Sequence, residues 1–87
     1  MTARLFQYER VGSTMDVIHQ LAEDVRARRV QLRLKQEELA DLAGVSERFV
    51  YAVESGKRTL QLDKVLAVLN VLGMHLELQR GADLEIR

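Results

Sequence analysis

Residues 36–56, QEELADLAGVSERFVYAVESG, constrain the fold more than any other part of this chain. Leu39, Ala40 and Ala43 recur at helical spacing, and after Gly44 so do Val50 and Val53, which predicts two amphipathic helices joined by a tight corner. Each is too short to persist alone in water, so the two must pack on one another. Ala40 is small where the second helix crosses the first, and Gly44 can take the positive φ that a sharp interhelical corner favours. A larger side chain at either position is expected to push the helices apart.

The flanking residues extend the pattern. Ser13 with Asp16 fits a capping box, starting a helix near 15–32 whose apolar face runs Val17, Ile18, Leu21, Val25 and Leu32. The second helix is expected over 36–43 and the third over 46–54, with the Ser46 hydroxyl as a cap for the third and Gly56 as its stop. A fourth, near 62–72, buries Leu62, Val65, Leu66, Leu69 and Leu72, turns Lys64 and Asn70 to solvent and stops at Gly73. The period then changes: Met74, Leu76 and Leu78 alternate with His75, Glu77 and Gln79, the mark of a half-buried strand. Residues 4–11 suit a short strand or ordered arm, with Phe6 and Tyr8 as packing residues. The chain divides into an arm over 1–14, a helical domain over 15–73 and a strand with tail over 74–87.

A lone strand cannot satisfy its own backbone. The simplest neighbour is the same strand of a second copy, with Leu76 and Leu78 over the helices. The alternatives are the N-terminal arm of the same chain, or Leu84 to Arg87 after a Gly81 turn.

Composition narrows the class. With 87 residues, 47% hydrophobic and 30% charged, the chain suits one domain that buries only about 60–65% of its unfolded surface, so a partner would help. The absence of cysteine excludes disulfides and thiolate metal sites. No apolar run approaches the roughly 18 residues of a membrane span, and MTARLFQYER lacks a signal-peptide core, so a cytoplasmic protein is expected. Net charge is zero, yet residues 25–58 hold eight basic residues against five acidic ones, a local excess of +3. A charge run by itself is often only a solvated face.

Residues 21–73 resemble the Cro/CI (XRE) class of phage-repressor helix-turn-helix proteins, with Gln36, Glu38, Leu39, Ala40, Gly44, Val45, Ser46, Val50, Glu54 and Gly56 in register. LDKVLAVLNVLG followed by MHLELQ resembles the HipB-like antitoxin branch of that class. The resemblance implies a mainly α, lambda-repressor-like bundle of four to five helices with a C-terminal β-strand used in dimerisation, through Met74, Leu76 and Leu78. It further implies a homodimeric, sequence-specific repressor of double-stranded DNA, serving as the antitoxin of a type II toxin-antitoxin pair that autoregulates its operon and restrains a HipA-like kinase toxin. A stand-alone phage-type repressor, or a protein-binding module without DNA binding, are the other readings. A neighbouring kinase gene would discriminate among them.

Groove dimensions then assign roles. A major groove about 12 Å wide admits one helix with its leading residues toward base edges, here Ser46, Glu47 and Arg48. The Arg48 guanidinium suits guanine O6 and N7; Glu47 either accepts from a cytosine amino group or stabilises the helix dipole. Phe49 either touches thymine methyls or packs against the second helix, and the Tyr51 hydroxyl suits a phosphate. Lys35, Gln36, Lys57 and Arg58 are expected on the phosphate chain. A twofold pair would read an inverted repeat with half-sites about 34 Å apart.

Two residues depart from the family pattern. Arg33 stands where a glycine often ends the first helix, at a cost of about 1 kcal/mol if the backbone is left-handed there. Lys35 stands where threonine often caps the second, which removes an acceptor for the Glu38 amide and breaks the capping box.

Catalysis finds little support. His19 and His75 are far apart, no nucleophile motif or phosphate loop is present, and Glu37, Glu38 and Asp41 are ordinary dipole compensation in a helix. No cofactor, metal or small-molecule substrate is expected.

Overall fold

A computed structural model describes residues 2–4 and 14–78. Strand β1 (Thr2–Arg4) precedes four helices, α1 (Thr14–Gln31), α2 (Gln36–Ala43), α3 (Glu47–Glu54) and α4 (Leu62–Val71), and strand β2 (His75–Glu77) follows them. Helix bounds fall within one residue of the expected ones. The Ser13 cap, Phe6 and Tyr8, the rest of the 4–11 arm and the pairing of residues 84–87 lie outside the described residues.

All four helices feed one core, with Val25 from α1, Leu39 and Ala40 from α2, Val50 and Val53 from α3, and Val65, Val68 and Leu69 from α4. Leu72 and Met74, just beyond α4, complete it. Each large aliphatic side chain fully withdrawn from water contributes about 1.5–3 kcal/mol, which is how helices of eight residues persist.

The α2–α3 corner is built as its sequence demands. Ala40 is 2% exposed, and Gly44 has φ 73°. Its amide donates to the Asp41 carbonyl and that of Val45 to the Ala40 carbonyl, closing the end of α2. A Cβ added at Gly44 would meet nothing within 4 Å. The corner therefore needs the left-handed backbone there, whereas the expected crowding at that position is absent.

Three leucines depart from the expected faces. Leu32 is 39% exposed because α1 stops at Gln31 and the chain turns through Arg33 at φ 60°, so helical spacing no longer governs it. Leu62 and Leu66 are exposed because α4 turns Val65, Val68, Leu69 and Leu72 inward, and the two leucines lie on the flank of that stripe. Ala22 and Val68 are buried instead.

β2 finds its neighbour within the chain. It pairs in parallel with β1, Thr2 opposite His75, Ala3 opposite Leu76 and Arg4 opposite Glu77. Parallel strands require a long crossover, and here the whole helical bundle supplies it. Met74 is 5% exposed and belongs to the chain's own core, Leu76 packs against that core, and Leu78 is 82% exposed. The alternative partner weighed above, the N-terminal arm, is thus the one that fills this edge of β2. Among the described residues the two-stranded sheet leaves β2 a second edge.

Candidate nucleic-acid interface

The leading turn of α3 is held by a local cap. Ser46, in extended geometry, accepts a 3.0 Å hydrogen bond on its Oγ from the Phe49 amide. The same amide also donates to the Ser46 carbonyl at 3.0 Å, and the Ser46 hydroxyl proton stays available for an outward contact. Glu47 and Arg48 are both exposed. Arg48 has no hydrogen bond or ion pair among the described residues, and its guanidinium keeps its full donor set.

Beside this turn lies a concavity formed by α3, the segment after it and the start of α4. Arg48, Phe49, Ala52, Lys57 and Lys64 are among the residues that line it, and no acidic one does among the described residues. Phe49 is half-buried, with one side on the core and the Lys64 Nζ 6.0 Å from its ring centroid, the outer reach of a cation–π contact. Of the two readings of Phe49, packing is the one seen, the ring lying partly buried against the core with its rim at the concavity; contact with thymine methyls is a matter for the DNA-bound protein. Gly56, at φ 80°, turns the chain so that exposed Lys57 and Arg58 follow directly.

Gln36 and Tyr51 lie elsewhere. They share a second notch with Arg26, Arg29, Glu54 and Ser55. Tyr51 is 62% exposed. Gln36 is half-buried, and its Nε2 donates to Glu54 Oε1 at 3.2 Å, so its side chain is not the wholly outward-facing group expected.

Glu54 anchors a network that sequence reasoning passed over. Arg29 Nε donates to Glu54 Oε2 at 2.6 Å and its Nη2 to Oε1 at 3.0 Å, while Nη1 donates to the Leu34 carbonyl at 2.8 Å. The two side chains are only 13% and 5% exposed. The hydrogen bond to Glu54 raises the Arg29 pKa above its ordinary value against the opposing effect of burial, and the charge attraction adds to the rise. A signal was present: Glu54 follows Val50 and Val53 at inward spacing, and an acid on a buried face requires a partner. Arg29 likewise lies one turn from Val25, which is fully buried.

The two departures at the α1–α2 junction also resolve. Arg33 is left-handed, with φ 60°. Lys35 occupies the N-cap of α2 without a side-chain cap bond, since an ammonium has no acceptor, but Glu38 Oε1 accepts from the Lys35 amide at 2.8 Å. The capping box is therefore half-formed: the acceptor for the Glu38 amide is missing, as expected of lysine, while the reciprocal bond remains. Lys35 is exposed.

Among the described residues no three carboxylate or histidine groups are placed to hold a metal, and no helix is long and apolar enough to cross a membrane.

Comparison with known proteins agrees with this geometry. Residues 25–79 match the family model described as Helix-turn-helix. Over 54 residues the chain is 46% identical to the "Uncharacterized HTH-type transcriptional regulator y4mF" of Sinorhizobium fredii (strain NBRC 101917 / NGR234), an alignment covering 62% of this chain and 71% of that protein. With the two-helix corner, the capped and exposed α3 and this match over more than half of its length, the chain belongs to the helix-turn-helix family.

Proposed function

We propose that the chain is a sequence-specific DNA-binding transcription regulator that inserts the start of α3 into the major groove. The observation that carries this reading is the exposed Arg48 at the capped head of α3, without a partner among the described residues, beside a concavity rimmed by Lys57 and Lys64 whose described lining holds no acid. Arg48 reads a base edge, while Lys35, Gln36, Tyr51, Lys57 and Arg58 hold the phosphate chain. Glu47 serves the helix dipole of α3 or a cytosine amino group. The regulator acts as a homodimer on an inverted repeat; the second edge of β2 and the exposed Leu78 support pairing with a second copy.

The finer role is that of an antitoxin that represses its own operon and restrains a HipA-like kinase. Its support is the resemblance of residues 62–79 to that branch, and a stand-alone repressor is the alternative. Co-purification with the product of an adjacent kinase gene separates the two.

Selection from a random duplex library, followed by mobility shift across a salt series, tests DNA binding. If each protomer neutralises about three phosphates, the log–log slope is about −5 for a dimer. Arg48→Ala is expected to lose about 1–3 kcal/mol of discrimination at one base pair of each half-site. Absence of binding to every duplex at low salt overturns the proposal.

A further inference from the structure

The notch between α1, the start of α2 and the end of α3 gathers groups suited to one anion. Gln36 offers an amide N–H and Tyr51 a phenolic O–H, both donors to a phosphate oxygen. The notch also contains a carboxylate, which would repel phosphate if it stood alone. It does not: Glu54 is held by Arg29 through two short charge-assisted bonds, so the two charges offset each other. Glu54 also orients the neighbouring amide. One Nε2 proton of Gln36 goes to Glu54 Oε1, and a flipped amide would set its oxygen against the carboxylate. The second Nε2 proton stays available.

Arg26 is the remaining charged group of the notch. It is exposed, lies one turn before Arg29 on α1, and has no hydrogen bond or ion pair among the described residues. The uncompensated charge of the notch is therefore positive.

We infer that Arg26 contacts a backbone phosphate of bound DNA in this notch, together with Gln36 and Tyr51, extending the interface from α2 and α3 onto α1. The inference rests on the DNA-binding reading above. Arg26 adds affinity and register without reading a base, because a phosphate carries no sequence.

The test compares the wild type with Arg26→Gln, Arg26→Lys and Lys57→Gln on a duplex selected by the wild-type chain. Arg26→Gln is expected to keep the wild-type urea midpoint, since the side chain is exposed and unpaired, and to make the salt slope shallower by about 0.9 per bound protomer. Arg26→Lys restores the slope. Among duplexes with single methylphosphonate linkages, one position per half-site weakens the wild type more than it weakens Arg26→Gln, the residual effect coming from Gln36 and Tyr51. A wild-type slope in Arg26→Gln, with a shallower one in Lys57→Gln, overturns the inference and leaves the DNA-binding reading standing. Failure of the wild type to retain any duplex overturns both.

Discussion

Replacing Glu54 by alanine should be among the most damaging single changes to this fold that create no large cavity. The carboxylate accepts from Arg29 Nε at 2.6 Å, Arg29 Nη2 at 3.0 Å and Gln36 Nε2 at 3.2 Å. With the paired side chains 13% and 5% exposed, solvent screens the interaction weakly. Glu54→Ala strands a nearly buried guanidinium, and removing one member of such a pair costs about 3–5 kcal/mol. A chain of 87 residues has a total stability of about 4–13 kcal/mol at the usual 0.05–0.15 kcal/mol per residue, so the variant loses a large fraction of it. Urea denaturation followed by circular dichroism measures this. At a slope of about 1 kcal/mol per molar, the midpoint falls by roughly 3 M or the folded baseline disappears. The double variant Arg29→Met, Glu54→Leu recovers part of the loss, because neither charge then remains buried without its partner. The Arg29 pKa is raised, so the guanidinium's share of the stability is fully present below the ordinary arginine range and is lost only as pH rises through the elevated value; the penalty is flat through the neutral range. A loss below about 1 kcal/mol, the value of a solvent-exposed pair, would refute the reasoning.

Two further outcomes concern the α1–α2 junction. Arg33→Gly is expected to raise stability by about 1 kcal/mol, because glycine takes the left-handed backbone at φ 60° without the Cβ penalty; a lowered midpoint would mean that the arginine side chain contributes more than its strain costs. Lys35→Thr supplies the acceptor missing from the half-formed capping box and is expected to stabilise the free protein by about 1 kcal/mol while weakening duplex binding. Unchanged affinity at low salt would remove Lys35 from the interface.

Much of the site was legible in the residues themselves. Gly44, the Ser46 cap and the exposed Arg48 follow from local geometry, since a corner, a first-turn amide and a solvent-facing position depend on a few neighbours in the chain. The faces of α1 and α4 were legible only in part. Spacing marks an apolar stripe, but α4 carries more apolar residues than one face can bury, and the helices packed against it decide that Val68 goes in while Leu62 and Leu66 stay out.

The sequence by itself determined the helix bounds, the tight corner, the change of period after Gly73 and the cationic segment, because each rests on periodicity, backbone preference or composition within a few residues. Only the tertiary structure decided that β2 pairs with Thr2–Arg4, that Arg29 neutralises Glu54, and that Gln36, Tyr51 and Arg26 share one notch. An unpaired strand edge or a buried charge announces the need for a partner. Which group answers that need depends on proximity after the chain has folded, and positions far apart in sequence carry no local mark of it.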